Sequence, residues 1–474
     1  MRPLRSVLVN RDYARLWYGQ IISTFGDCIF NTTLVLWVAA DLARGKPWAP
    51  AAVSGVLLAA SMAVVGAGPL AGVFVDRWDR RVTMLATEVF RGILVAALTA
   101  LSFLPAGKLP AWAWLAAVYA IVFLLNAAGQ FFQPARIALL GEIVEGETDR
   151  ARAAGLGQVA SSLAAILGPP LAASLLFSVG LPWALMANAA SYGVSWFAIR
   201  SVRPGAGHAP VRSGGPRPKL RQEFAAGLNV FRGNQFLVAI LLIVVIAECG
   251  TGTLSALDIF FVTRNLHATA HLYGYLGTAL GIGGIVGALI AGPVVRRFGA
   301  RTTTVAGLFL AGLLLVAYSR QTVFLAGLLL LFCVAVPLTA LITALAPLTL
   351  AVTPQEFRGR VIAVFNPACQ LASMMSVVVA GWLVSSVLRN MAFSLAGLHF
   401  GPIDTIFTVA GILVMLAGGY ALVGLPVRAG HRRTRGRAAP APSHRAEGQT
   451  QPCRQGSGPR HRRSADETAP PVQR

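Results

Sequence analysis

The chain predicts an all-α polytopic membrane protein, with twelve transmembrane helices in two pseudo-symmetric six-helix bundles. Three observations carry that prediction. Of the 474 residues, 55% are hydrophobic and only 12% charged, with a mean hydropathy of +0.66; a soluble fold of this size cannot hide so much apolar surface. The apolar residues fall in stretches of about 20, the length at which a helix crosses roughly 30 Å of hydrocarbon. The basic residues keep to one side of those stretches.

The spans lie near residues 14–40, 50–75, 82–104, 111–134, 153–178, 181–199, 236–262, 271–294, 302–319, 322–350, 361–387 and 405–425. With the N-terminus cytoplasmic, only Arg44, Lys46, Lys108, Arg264, Arg320 and Arg389 of the 40 basic residues fall outside. This asymmetry is the positive-inside signal, and it places both termini in the cytoplasm of a multi-pass cell-membrane protein. Trp48, Trp112, Trp114 and Trp183 fall at outer span ends and Trp17 at an inner one, as an aromatic belt or as ordinary packing residues. The N-terminus, MRPLRSVLVNRDYARLW, carries no small-residue cleavage site, so the first span is expected to stay as an anchor.

Two breaks divide the chain. Residues 1–200 form the first bundle, the Pro/Gly/Arg-rich residues 201–235 a cytoplasmic linker and residues 236–426 the second bundle. Residues 427–474 hold almost no large apolar side chain and read as a disordered basic cytoplasmic tail. The net charge of +22 is expected to meet lipid headgroups rather than nucleic acid. Cys28, Cys249, Cys333, Cys369 and Cys453 have no metal-ligand spacing and imply no disulfide framework.

The halves read as copies. GVFVDRWDRR from Gly72 aligns with GPVVRRFGAR from Gly292, and at nearly the same offset Asp27-Cys28 falls on Glu248-Cys249. Arg150-Ala-Arg152 precedes the fifth span as Arg358-Gly-Arg360 precedes the eleventh. Collinear matches of this kind point to a duplication, the plan of many secondary transporters.

Ionisable residues inside the spans are the functional candidates, because a charge at mid-membrane costs about 2.5–3.5 kcal/mol on insertion scales. Asp27 and Glu248 occupy matching places in the first and seventh spans, where loss of hydration favours the protonated form. They are the expected proton carriers; the bland alternative for Asp27 is a permanent pair with Arg91 in the third span. Glu88 and Arg91, three apart on that span, are expected to meet as a local pair, with a part in the proton route as the sharper reading. Phe25, Phe30, Asn31, Cys249 and Thr253 lie within a turn or two of the two carboxylates and are expected to line a central cavity with them. Asp258, near the outer end of the seventh span, reads as solvated. His267 and His271 have helical spacing but no further ligand, so an interfacial pair and no metal is expected.

Two segments read as gating elements. In the loop after the second span, Gly72, Asp76, Arg77, Arg80 and Arg81 place a carboxylate where it can meet a helix N-terminus, while the arginines serve as latch or topology anchors. The second copy has Arg296 where the aspartate stands, so such a latch is one-sided. In the fifth span, Gly168-Pro169-Pro170 removes two backbone donors and predicts a kink. Ala172 and Ala173 follow, and Gly277, Gly281, Gly283 and Gly287 of the eighth span offer matching small faces. No Gly-x-x-x-x-Gly-Lys-Ser/Thr sequence occurs, because Lys46 and Lys108 continue into proline and leucine. Neither ATP nor another cofactor is expected, and no nucleophile–base or metal constellation suggests an enzyme.

These residues resemble the major facilitator superfamily, specifically its drug/proton antiporters of the macrolide-efflux and enterobactin-exporter-like branch. The likeness covers about residues 8–425. Gly72-Val-Phe-Val-Asp76-Arg77-Trp-Asp79-Arg80-Arg81 resembles the family's Gly-x-Leu-Ala-Asp-Arg-x-Gly-Arg-Lys, with Asp79 replacing the second glycine. Ala164-x-x-x-Gly168-Pro169-Pro170-Leu-Ala172-Ala173 is similar to Gly-x-x-x-Gly-Pro-x-x-Gly-Gly, and Phe132-Gln-Pro134-Ala135-Arg136 ends the fourth span as in this branch. The resemblance implies a monomeric secondary exporter moving an amphipathic small molecule, an antibiotic or siderophore, against protons by alternating access. It implies that Asp76 latches onto the eleventh helix and that the fifth and eighth helices seal the outer side. A proton-coupled importer or facilitator on the same fold, and a non-transporting membrane sensor, remain the alternatives.

Overall fold

The computed structural model describes residues 9–424 apart from 76, 105–107, most of 203–232, 353–357, 392 and 396–397. The linker and the tail lie largely or wholly outside the described residues. Those that are described form long helices in chain order: α1 Arg11–Trp37, α2 Ala49–Val75, α3 Arg80–Ser102, α4 Ala111–Ile143, α5 Glu147–Ser178, α6 Leu181–Ser201, α7 Gln235–Arg264, α8 Tyr273–Phe298, α9 Ala300–Ser319, α10 Phe324–Val352, α11 Arg358–Ser385 and α12 Pro402–Gly424. A two-stranded hairpin, β1 Phe393–Leu395 and β2 Leu398–Phe400, precedes α12.

Eleven spans, not twelve, are long and apolar enough to cross a membrane among the described residues. The exception is α6, because Asn188, Ser191, Tyr192 and Ser195 interrupt its apolar run. All four are buried toward the protein. The fourth and fifth helices also extend well past the expected ends, α4 to Ile143 and α5 from Glu147, so the apolar stretch marks only their membrane portion.

Helix starts follow local chemistry. Asn10 caps α1 by accepting the Tyr13 N–H at 2.7 Å, and Asn234 caps α7 in the same way from Phe236 and Leu237. Asp79, the residue that departs from the family loop pattern, accepts the Val82 N–H at 2.8 Å and so starts α3. Gly146 and Gly299 take positive φ of 82° and 83° ahead of α5 and α9, a turn open to glycine at no steric cost.

Packing repeats six helices along. In the first six, α1 packs on α5 and α6, α2 on α4, and α3 on α4 and α6; in the last six, α7 packs on α11 and α12, α8 on α10, and α9 on α10 and α12. The two sets meet mainly through α2 with α11 and α5 with α8.

The two ends of the molecule differ. At the end carrying the α1–α2 and α7–α8 connections, one buried cluster runs through both sets, joining Phe30, Val35 and Val53 to Leu254, Leu257, Phe261 and Tyr318. At the other end the described cores are separate: Leu16, Met84 and Leu139 in the first set, Ile240, Leu308 and Leu341 in the second. Among the described residues, a shared core therefore joins the two sets at one end only.

Helices approach this closely because glycines let backbones touch. A Cβ on Gly411 of α12 would lie 2.7 Å from the Gly312 carbonyl of α9. Gly411→Val is expected to destabilise the detergent-solubilised protein by about 1–3 kcal/mol through overpacking, read as a lowered thermal midpoint with unchanged membrane insertion.

Candidate functional site

The polar centre of the first six helices forms where α1, α3 and α6 meet. Gly26 permits the approach, since a Cβ there would lie 2.2 Å from Ser191 Oγ and 2.6 Å from Asn188 Oδ1. Beside it, Arg91 Nη2 donates to Asp27 Oδ2 at 2.7 Å and the Tyr192 hydroxyl to Asp27 Oδ1 at 2.5 Å. The Arg91 guanidinium also lies over the Tyr192 ring, 4.5 Å from its centroid. The aspartate keeps 33% of its side-chain surface exposed against 11% for the arginine. One carboxylate thus faces an accessible space while its cation is sealed behind it.

The expected Glu88–Arg91 pair does not form. Although the two share a helix face, the guanidinium crosses to Asp27, and Glu88 Oε1 instead accepts the Ser195 hydroxyl at 2.6 Å. Gln20 Nε2 donates to that same hydroxyl at 3.0 Å. Glu88 Oε2, Arg91 Nε and Asn188 Nδ2 are buried with no hydrogen-bond partner. Removing one member of a buried ion pair strands the other, so this network is both fragile and specific.

Glu248 sits differently from its counterpart. It is half-buried on α7 and, among the described residues, has no hydrogen-bond or ion-pair partner. Its neighbour Cys249 anchors α7 to α11: the thiol lies 3.8 Å from the Ala372 carbonyl, and Ser376 Oγ donates to the Cys249 carbonyl at 2.5 Å. Of the expected cavity residues, Phe25 is half-buried and Asn31 exposed. Phe30 is a core residue at 3% exposure, and Thr253 is buried with its hydroxyl bonded to the Gly250 carbonyl. Both are closed off from solvent in this conformation, Phe30 within the cluster shared by the two sets.

The small-residue face of α8 divides its work. Gly274 and Gly277 meet Pro169, and Gly281 meets Ile166, while Thr278 Oγ1 donates to the Ile166 carbonyl at 2.6 Å. Gly283 and Gly287, expected on α5, pack instead on Phe332, Val336 and Thr339 of α10, since they point to the opposite face of α8. Gly168 likewise faces α1, where a Cβ would lie 2.6 Å from Cys28 Sγ. It is Pro169 and Pro170, inside one unbroken α5, that carry the contact with α8. At the other junction Ser385 Oγ accepts the Ala51 N–H at 3.1 Å, and Gly381 lies against Ser54.

In the loop after α2, Gly72 lies within the last turns of that helix and Asp76 lies outside the described residues. Arg77 is exposed, Arg80 pairs with Glu142 of α4, and Arg81 donates to the Ile199 and Arg200 carbonyls of α6. Both Arg80 and Arg81 therefore tie helices together within the first six. Trp112 and Trp183 are exposed as a belt requires; Trp48 and Trp114 pack on the core, and Trp17 donates to the Leu156 carbonyl. His271 lies against Phe177, and no group of three or more metal-type ligands occurs among the described residues.

Sequence reasoning missed Tyr192 and Ser195. The available signal was the spacing of Asn188, Ser191, Tyr192 and Ser195, a polar stripe on one face of α6. It also placed Asp258 in solvent, whereas that carboxyl is 5% exposed and accepts the Tyr318 hydroxyl at 3.1 Å.

The family model described as Major Facilitator Superfamily matches residues 16–257 and 240–457. A putative bacilysin exporter of Bacillus subtilis (strain 168) is 29% identical over 50% of this chain and 54% of its own length. Macrolide efflux protein A of Streptococcus pyogenes is 28% identical over 48% of this chain and 53% of its own. The chain thus spans about half the length of these curated relatives. Among solved structures, nucleoside transporter NupG aligns with a TM-score of 0.65 at 12% identity, over 88% of this chain and 100% of that one.

A double-mutant cycle tests the ion pair. Asp27→Ala is expected to destabilise the protein by about 3–5 kcal/mol, because it leaves Arg91 buried and unpaired. Asp27→Ala with Arg91→Met is expected to recover most of that loss, read from thermal midpoints in one detergent.

Proposed function

The chain belongs to the major facilitator superfamily, and from that premise we propose that it is a secondary exporter driving an amphipathic small molecule out of the cell against an inward proton flow. It is a membrane transporter and not an enzyme. The observation that carries the coupling reading is the Asp27–Arg91–Tyr192 arrangement, an intramembrane carboxylate held by a sealed cation yet open on one edge. A proton arriving on that edge neutralises Asp27, weakens its hold on Arg91 and so changes the fit of α1 against α3 and α6. Glu248 on the matching helix, without a partner among the described residues, would be a second titrating group. The names of the exporter and efflux relatives favour outward transport of an antibiotic-like substrate.

In this reading twelve spans form two six-helix bundles that rock about a central cavity. The end closed by α2 with α11 and α5 with α8 is the outer end, so the conformation is open to the cytoplasm. Positive-inside asymmetry supports that orientation. Asp76 would serve the opposite closure by meeting the first turn of α11, where unpaired N–H groups favour an anion. Substrate, protons and membrane lipid are the partners, and a single chain suffices.

Drug-dependent proton flux in proteoliposomes, with a panel of radiolabelled antibiotics and siderophores, tests the reading. Asp27→Asn is expected to lose uphill export while downhill exchange survives; wild-type coupling in Asp27→Asn and in Glu248→Gln removes both from the mechanism. Gly274→Val tests the outer contact, since its Cβ would lie 2.5 Å from the Pro169 carbonyl, a backbone atom with no room to yield. It is expected to insert normally and to transport poorly or leak.

A further inference from the structure

One buried carboxylate has no part in the coupling scheme. Asp258 lies on α7, nearly three turns beyond Glu248. Its recorded partner is the hydroxyl of Tyr318 on α9. The Tyr318 ring packs on Phe261 and Phe407, with centroids 4.8 and 5.8 Å apart. No arginine or lysine is recorded in an ion pair with Asp258 among the described residues.

The charged and titratable groups on the surrounding elements are placed as follows. Just past α9, Arg320 donates to the Asp404 carbonyl and the Thr408 hydroxyl of α12. Asp404 itself accepts from Asn265 and from the Gly401 N–H. Arg264, farther along α7, lies over the Phe260 ring. From α8, Tyr273 is within electrostatic reach of both Asp258 and Cys28 of α1. His271 is against Phe177, and His267 is in the turn between α7 and α8. Helix α2 has no ionisable residue; α10 has only Cys333, exposed, and the membrane portion of α11 only Cys369.

Asp258 therefore faces aromatic rings and hydroxyls. Its neighbours along the helix, Leu254, Leu257 and Phe261, belong to the one buried cluster that runs through both halves. Opening that end must part the cluster and admit water. A charged carboxylate in the closed cluster would have a single hydroxyl for solvation, whereas in the opened one it would be hydrated.

We infer that Asp258 is a proton-binding site of the second half, filled when the α1–α2 and α7–α8 end is closed and emptied when that end opens. The inference rests on the alternating-access reading but not on Asp27. On opening, the carboxylic acid gives its proton to the aqueous phase that enters; on closing, the carboxylate takes one back from the same phase. No proton crosses the membrane through Asp258. It sets the balance between closed and open forms, so acid on that side favours closure and alkali favours opening.

Nitroxide labels on Cys residues introduced at Lys46 and Arg389, both exposed at this end, report its opening as a distance in nanodiscs. The measurement uses the full chain without native cysteines, across mildly acid to mildly alkaline pH. It is made in an Asp27→Asn, Glu248→Gln background, so that any remaining response belongs to neither group of the coupling scheme. The closed-to-open ratio is expected to fall by up to about tenfold per pH unit, the limit for one linked proton. Adding Asp258→Asn is expected to make the ratio flat. Adding Tyr318→Phe, which removes the bond that favours the charged form, is expected to move the midpoint up by about one pH unit. A flat ratio with Asp258 intact, or a persisting response with Asp258→Asn, overturns the inference. If Asp258→Asn does not insert, an unmoved midpoint in Tyr318→Phe overturns it. The proton-flux assay on Asp27→Asn fails or succeeds separately, so the two readings fall independently.

Discussion

Hydrocarbon offers no solvent to a polar group, so a chain that crosses it must satisfy every donor, acceptor and charge from within itself. That constraint shapes each polar feature of the spans. Arg91 gives up the nearer Glu88 on its own helix and reaches α1 for Asp27; Glu88 turns to Ser195, and Tyr192 serves the aspartate while its ring lies under the arginine. The polar residues that weaken the apolar run of α6 are the ones that complete this network. Three buried atoms, Glu88 Oε2, Arg91 Nε and Asn188 Nδ2, stay unpaired around it. Polar groups kept at that cost in the centre of a bundle make it the candidate site.

Contacts between helices obey a second consequence of the same medium. Lipid tails are as apolar as leucine, so burial alone gives little drive to hold one helix to another, and close van der Waals approach must supply it. Gly26, Gly274, Gly381 and Gly411 each let a neighbouring side chain or backbone come closer than a Cβ would permit. Where such residues join the two sets of six, at α5 with α8 and α2 with α11, the contact is tight. At the same end the large side chains of one cluster, Phe30 and Phe261 among them, span both sets. The split cores at the other end fit the same logic, since each set keeps its own interior there.

The apolar spans, the repeat and the first intramembrane carboxylate were legible from sequence because each depends on composition or spacing along one segment. Side-chain partners were less so. The spacing of Glu88 and Arg91 on one helix suggested a local pair, and the sequence offered Asp27–Arg91 only as the alternative; nothing local decides that the partner across the bundle wins. Gly168 and Gly283 show the same limit. A small-x-x-x-small pattern says that a helix will be approached closely without saying by which neighbour, and here the partners are α1 and α10. Asp258 was misplaced because its position near a span end suggested water, while the tyrosine that meets it comes from another helix, its ring packed on Phe261 and Phe407.

The two sets of six helices differ in a way that bears on the proposed coupling. In the first, the carboxylate of the leading helix meets a cation on the third helix and a tyrosine on the sixth. In the second, the matching carboxylate Glu248 meets no such cation among the described residues. The acid that reaches the equivalent third helix is instead Asp258, which meets a tyrosine there whose ring packs on two phenylalanines. An ion pair responds to a proton by losing an attraction, whereas an unpaired acid in an apolar wall responds by gaining compatibility with its surroundings. In the proposed cycle, protonation therefore loosens the first bundle and tightens the second. A transporter built from two copies needs such a difference if proton occupancy is to favour one orientation of the halves over the other.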